Sequence, residues 1–529
     1  MKVHHIPFQK TGYFSKLICD YLDENSSLSD FYGNYPNYEG FKNQLGLKAN
    51  FSLEKRKILV EVLNEQYNSV KSSSLTASNI KLLENKKTFT ITTGHQLNIF
   101  TGPLYFLYKI TSVINLCKKL KNNFPQHNFV PIYWMASEDH DFEEINFFNF
   151  KETKISWNNE KGGAVGRITT EKMSEVFDEF SKLIGNSDEA VYLKELFKNA
   201  YLKNKNLAEA TRYLVNELFG IYGLVIIDGD NVKLKQQFIP VINDELQHKT
   251  SYQNVIKTNN SLEKEYNIQV NPRELNLFYL KDALRERIIF ENNVFKVNNT
   301  NLVFTKAEIL AEVSKYPDRF SPNVIMRPLY QETVLPNICY IGGGGELAYW
   351  FQLKKYFNVV KTPFPIVLLR NSVVFVSKKQ KHKLDKLGVS LDDLFKKQQG
   401  LVDKKVKEIS AIEIDFSSQK KHLQQQFTAL KVLAKQTDVS FLGAVNAQEK
   451  KQLNGLDTLE KRLLKAQKRK LEDVVKRIIL VQNELFPKHS LEERTRNFSE
   501  MYLKLGANLI PSLLENLDPL NIKFNAIEY

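Results

Sequence analysis

Four consecutive titratable side chains, Glu138, Asp139, His140 and Asp141, lie in the segment WMASEDHDFEEIN, just after an apolar run that ends at Met135. Carboxylates beside an imidazole could bind an amino group, move a proton or hold Mg²⁺. A second segment, TFTITTGHQLNIFTGP (Thr88–Pro103), places an imidazole, two amides and a hydroxyl between two glycines: Gly94, His95, Gln96, Asn98, Thr101 and Gly102. The glycines permit a tight turn or close backbone approach. His95 could meet a phosphate or transfer a proton, while Gln96, Asn98 and Thr101 could position substrate or nucleotide. Tyr105 and Lys109 follow one helical turn apart, on one face. A third segment, RPLYQETVLPNICYIGGGGELAYW (Arg327–Trp350), brings Arg327, suited to a carboxylate or phosphate, and the glycine run Gly342–Gly345. Backbone N–H groups of Gly342, Gly343 and Gly345 could cradle an anion. Glu346 would repel a phosphate and favours an amine or a metal-bound ligand. Trp134, Gln331 and Tyr349 complete the candidate substrate contacts. No second cluster of His or Cys suggests a transition-metal site.

The elements that must position these groups are legible in the pattern. Strand-like runs at Phe89–Thr93 and Phe129–Met135 flank the amphipathic segment Leu104–Leu120, a βαβ unit with parallel strands. Pro103 suits the first helical position, and amides there could hold an anion. Further strand-like runs at Leu224–Asp228, Ile338–Ile341 and Ile366–Leu369 alternate with helical stretches at Leu207–Phe219 and Leu347–Phe357. The fold class expected is α/β, a doubly wound parallel sheet. Polar groups after its strands lie where such sheets bind ligands. Residues from roughly 270 to 304 read as short strands, with Asn292–Asn293 as a hairpin turn. From about 388, seams at Leu423, Phe427, Leu430 and Ala434, then at Leu456, Leu459, Leu463 and Ala466, predict an antiparallel helical coiled coil. Its break is expected at Ser440–Asn446, around Gly443. The domains expected are a core over 1–387, with a helical start and inserted segments at about 151–330, a coiled coil over 388–489, and a tail over 490–529 folding back on the body.

Bulk properties exclude several classes. The 529 residues exceed one compact domain. No apolar stretch approaches a membrane span, and the start lacks a secretory pattern. Cys19, Cys117 and Cys339 are too few and scattered for a disulfide framework, which points to the cytoplasm. The net charge of +14 comes without a compact nucleic-acid motif and reads as solvated lysine-rich helix faces. Lys172–Ser174 (KMS) reads as ordinary helix capped by Thr170. Ser377–Lys381 (SKKQK) could form a basic loop near phosphates.

Three long motifs, TTGHQLNIFTGPLY, PIYWMASEDHDFEEIN and RPLYQETVLPNICYIGGGGELAYWFQLK, together resemble the cysteine-adding enzymes of bacillithiol biosynthesis. The resemblance runs the full length, through the coiled coil to the closing NFSEMYLKLG and LIPSLLENLDP. It implies a Rossmann-type core, similar to that of class I aminoacyl-tRNA synthetases, and a coiled coil that pairs two subunits. It implies cysteine and glucosaminyl-malate as substrates, ATP as activating cofactor, and Mg²⁺ as a companion. The acyl donor would be an adenylate or an acyl phosphate. Glu138, Asp139, His140 and His95 are then the candidate catalytic groups. The HxGH element of those synthetases is matched only by Gly94–His95, with Thr92 where its first histidine would stand. The alternative is a nucleotide-binding scaffold that recruits a partner through the coiled coil.

Overall fold

The computed structural model describes residues 1–159 and 162–529. They divide into two units: Met1–Gln9, Tyr13–Val374 and Leu491–Ile527 form the first, and Lys10–Gly12, Phe375–Ser490 and Glu528–Tyr529 the second.

The first unit is built on five parallel strands: Thr88–His95, Asn128–Met135, Val225–Asp228, Asn337–Gly342 and Ile366–Leu369. Counted in chain order, they lie across the sheet as 3-2-1-4-5. This is the doubly wound order, and its reversal falls between Thr88–His95 and Asn337–Gly342. Ligands of such sheets bind in the crevice outside the carboxyl ends at that point. All eight residues of Thr88–His95 are buried, as a central parallel strand requires. Val113, Leu116 and Leu120 of the helix Tyr105–Asn123 share one apolar cluster with Phe89, Ile91, Ile338 and Ile341. Helix and strands are thereby locked as one body, with the carboxyl ends left to chemistry.

The interruption of this sheet forms a second, antiparallel one. Its order is Val303–Phe304, Val294–Val297, Leu284–Glu291, Leu277–Lys281, Phe320–Pro322. Asn292 and Asn293 join two of these strands with φ of 53° and 63°. Two successive positive φ values make the primed turn that matches strand twist, which is why an asparagine pair serves there.

Several local expectations shift. The helix expected at Leu347–Phe357 is two helices, Gly344–Gln352 and Lys354–Val359. Thr170 does not cap the KMS helix. That helix, Met173–Ile184, follows Lys172 in a left-handed conformation, and the Thr170 hydroxyl donates to the Asn204 carbonyl at 2.7 Å.

In the second unit, helices Ser417–Ala434 and Val439–Lys470 form an antiparallel hairpin. Ion pairs Lys431–Glu449 and Lys420–Glu460 step in opposite directions along the two helices. The break lies at residues 435–438, not at Ser440–Asn446. Asp438 caps the second helix through the amides of Ser440 and Phe441, so Gly443 falls inside it. Phe427, Ala434 and Val445 pack with Leu423 and Leu442, whereas Leu430 and Leu459 of the expected seams are exposed. SKKQK is no loop: Ser377 opens the helix Lys378–Leu387 with a capping box to Gln380. Among the described residues, no helix is long and apolar enough to cross a membrane.

Candidate active site

The carboxyl ends of Thr88–His95, Asn128–Met135 and Asn337–Gly342 open on a cavity of about 710 Å³, lined also by residues of the inserted sheet. Of the sequence candidates it is lined by Gly94, His95, Gln96, Tyr105, Trp134, Glu138, Asp139, His140, Arg327, Glu346 and Tyr349. Asn98, Thr101, Gly102, Gln331, Gly342, Gly343 and Gly345 are not part of that lining, and each has a different place.

Gly94 is not a turn. The strand runs on to His95 because Gly94 and His95 pair with Trp134 and Met135. Glycine suits a close approach there: a Cβ would lie 3.1 Å from the Tyr340 hydroxyl and 3.7 Å from Arg327 Nη1. The turn comes later, where Phe100, Thr101 and Gly102 all have positive φ (50°, 65° and 61°). Such backbone persists only when its surroundings over-determine it. The Phe100 ring is boxed by Phe148, Phe180, Phe197 and Phe498. Asn497 Nδ2 donates to the carbonyls of Phe100 and Gly102, both at 2.7 Å. Asn98 Nδ2 donates to the Glu144 carbonyl at 2.9 Å, and Gly102 packs where a Cβ would meet the Asn98 side chain at 2.6 Å. Asn98, Thr101 and Gly102 therefore serve the turn. The helix begins at Tyr105 rather than Pro103, and the Leu104 N–H that might have met an anion donates to the Arg496 carbonyl at 2.7 Å.

The glycine run is likewise occupied. Gly343 N–H donates to Glu346 Oε2 at 2.8 Å, so the helix Gly344–Gln352 is capped from within. Gly342 gives room to Glu346 and Tyr340, whose atoms a Cβ would meet at 2.9 and 3.0 Å, while Gly345 faces only Gln269, at 3.8 Å. Glu346 accepts from Tyr340 at 2.6 Å and pairs with Lys109 at 2.6 Å; Lys109 also donates to the Gly94 carbonyl at 2.7 Å. Burial works against the Glu346 carboxylate, yet Lys109, the Gly343 amide and Tyr340 hold it below the ordinary range. Burial, partly offset by Glu346, pulls Lys109 down. Arg327 donates to Gln331 Oε1 at 3.1 Å and to the Tyr349 hydroxyl at 3.5 Å, and makes no ion pair among the described residues. Gln331 is fully buried and orients Arg327.

The acidic cluster is divided between two partners. Glu138 pairs with Lys235, which is wholly buried and also donates to the Phe320 carbonyl at 2.6 Å. Burial raises the proton affinity of Glu138 against the pull of Lys235. Burial would do the same to Asp139, but His140, Gln96 and Arg285 hold it well below the carboxylate range. Gln96 Nε2 donates to Asp139 at 2.9 Å and to Glu144 at 2.7 Å. Arg285 donates to His140 Nδ1 at 2.6 Å. An arginine cannot accept, so the proton of a neutral His140 sits on Nε2. Among the described residues no three His, Cys, Asp or Glu side chains converge as a metal site. With Glu138 and Asp139 already matched to cations, the cluster does not fit Mg²⁺ held by protein ligands alone.

His95 is 8% exposed and lies edge-on to Tyr105 at 5.5 Å, with no hydrogen bond to its ring nitrogens among the described residues. Burial, then the charges of Lys109 and Arg370, pushes its pKa well below the ordinary value. The ring is neutral at working pH. Trp134 stands edge-on to Tyr330 at 5.4 Å over Gly229, where a Cβ would strike it at 2.5 Å. Side chains at the cavity, or paired with its carboxylates, that sequence reasoning missed are Lys235, Tyr340, Arg273, Arg285 and Arg287. Lys235 lies 97 positions from Glu138 in an ordinary helical stretch, and nothing local marks it.

Two family profiles match. One, described as the N-terminal Rossmann-like domain of bacillithiol biosynthesis BshC, covers residues 1–371; the other, its C-terminal coiled-coil domain, covers 373–529. The chain belongs to the BshC family. Relatives provisionally named cysteine ligase BshC include one from Flavobacterium psychrophilum, 56% identical over 99% of both chains. Another, from Christiangramia forsetii, is 52% identical over 100% of this chain and 99% of its own. The BshC of Lysinibacillus sphaericus is 25% identical over 95% of each. A solved structure described as an arginyl-tRNA synthetase of Campylobacter jejuni covers 88% of this chain and 99% of its own, but its TM-score of 0.23 at 11% identity carries no argument.

Proposed function

We propose that this cavity joins the carboxyl of cysteine to the amine of glucosaminyl-malate, forming bacillithiol in the cytoplasm. The observation that carries the reading is a partly buried carboxyl of raised proton affinity, Glu138, sharing one cavity with three arginines, Arg273, Arg287 and Arg327, that make no ion pair among the described residues. An amide forms when the neutral amine attacks the acyl carbon, the leaving group departs and the amine releases a proton. Glu138 is the better proton acceptor, because its affinity is moved toward the working pH, whereas Asp139 is too acidic to hold a proton. Asp139 instead fixes Gln96 and His140, and His95 offers a neutral hydrogen-bonding ring.

Forming an amide from a free acid is uphill, and ATP would supply the activation. Arg327, at the topological reversal of the sheet and free of a carboxylate, would hold its phosphates. The exposed Leu430, Val432, Leu433 and Leu459 of the helical hairpin fit pairing with a second copy of the chain. Purified protein with ATP, cysteine and glucosaminyl-malate should yield bacillithiol by mass spectrometry. Absence of product across metal ions and acyl donors would overturn the assignment.

A further inference from the structure

The charges around the cavity do not cancel. Three carboxylates at it are matched one to one: Glu346 by Lys109, Glu138 by Lys235 and Asp139 by Arg285. Three lining guanidiniums are left over, Arg327, Arg273 and Arg287, and none makes an ion pair among the described residues. Arg327 belongs to the strand-end wall. Arg273 and Arg287 both come from the inserted segment.

Their placement is built. Arg287 and Arg285 are two residues apart on the strand Leu284–Glu291, so both point to one face of the inserted sheet, about 7 Å apart. Arg285 is held on Phe278, with its guanidinium 4.0 Å from the ring centroid, and on His140. Phe278 is also the cross-strand partner of Arg287. Arg273 sits in a segment fastened by a buried carboxylate. Glu245 accepts from the Ser251 hydroxyl at 2.6 Å and from the Asn276 amide N–H at 3.2 Å. Asn276 Oδ1 in turn accepts from Arg273 N–H at 3.0 Å and from Asn323 at 2.9 Å. Backbone and neighbours are fixed, while neither guanidinium makes an ion pair among the described residues.

We infer that Arg273 and Arg287 form a dicarboxylate subsite that takes the malyl end of the amine acceptor. This rests on the ligase reading above. Two planar forks on separate elements suit two carboxylates, each able to accept a bidentate pair. A phosphate chain would be expected to use backbone amides, but the Gly343 and Leu104 N–H groups are already taken. The insertion wall then selects the acceptor, and the strand-end wall carries the chemistry.

The test uses the full chain and compares the protein with Arg273→Gln, Arg287→Gln and Arg287→Lys. Binding of L-malate, glucosaminyl-malate and tripolyphosphate is measured by calorimetry, and KM for acceptor and for ATP in the ligase assay. Each glutamine variant should weaken glucosaminyl-malate binding ten- to a hundredfold and raise acceptor KM similarly, leaving ATP KM and the thermal midpoint unchanged. Lysine at 287 should restore part of the affinity. Unchanged acceptor affinity overturns the subsite, as does a loss confined to tripolyphosphate or ATP, or a wild-type protein that binds neither malate nor glucosaminyl-malate. Acceptor binding that depends on both arginines, in a protein that makes no bacillithiol, would retain the subsite and sink the ligase reading instead.

Discussion

The two walls of the cavity differ in how most of their charged groups are held. On the strand-end wall, the buried Lys109 and the partly buried Glu346 and Glu138 are paired, and Lys109 and Glu346 are tied further to Gly94, Tyr340 and Gly343. On the insertion wall, Arg273 and Arg287 are exposed, without an ion pair among the described residues, and held in place through their backbones. Buried charge must be neutralised within the fold, because an isolated ion out of water is costly. Exposed charge can wait for a ligand. A wall of the first kind fixes reactive groups and their proton affinities; a wall of the second kind recognises.

The largest break in this contrast should come from Lys109→Met. It leaves the partly buried Glu346 without its ion-pair partner and should cost up to about 3–5 kcal/mol, read from urea unfolding by tryptophan fluorescence. All three tryptophans, Trp134, Trp157 and Trp350, lie in the first unit. Adding Glu346→Gln should recover much of the loss; no recovery would mean that Lys109 acts through packing alone.

Glu138→Gln sharpens the catalytic side. The folded chain holds the Glu138 proton at pH values where the unfolded chain, near the ordinary value of about 4.3, has released it. Its contribution to stability therefore falls as pH rises from that value through the folded pKa. Activity should do the reverse, with an acid limb in kcat/KM above the ordinary carboxylate range. The glutamine variant should lose about 10²–10⁴ in rate together with that limb. A limb that survives would point to another base.

His95→Gln should be milder. The depressed His95 pKa means that the unfolded chain binds a proton the folded chain refuses, so stability rises with pH up to about 6.5 and is complete above it. Glutamine should flatten that rise in denaturation series from pH 5 to 7. Loss of one neutral hydrogen bond, about 1 kcal/mol, should reduce kcat/KM less than about tenfold. The smallest effect on stability is expected at Arg287→Gln, within about 0.5 kcal/mol, because no internal partner is stranded.

Much of this was legible along the chain. The βαβ unit, the parallel sheet and the Asn292–Asn293 turn follow from periodicity and from backbone chemistry that neighbours dictate. The segments bearing chemistry were visible too, as polar clusters just beyond apolar runs. Individual roles were less so. Gly94 and the Gly342–Gly345 run looked like free turns, yet one is strand at a close approach and the other is capped by Glu346. Asn98 and Thr101 looked like ligand contacts but belong to a strained turn held by Asn497, about 400 positions away.

By itself, then, the sequence determined the two architectures and which segments face the carboxyl ends of the sheet, because side-chain period and turn chemistry are local properties. Only the tertiary structure decided which charges cancel. Lys235 reaches Glu138 and Arg285 reaches His140 across long stretches of chain, while Arg273 and Arg287 reach no carboxylate among the described residues. Pairing depends on distances that close only when the sheet and its insertion have met.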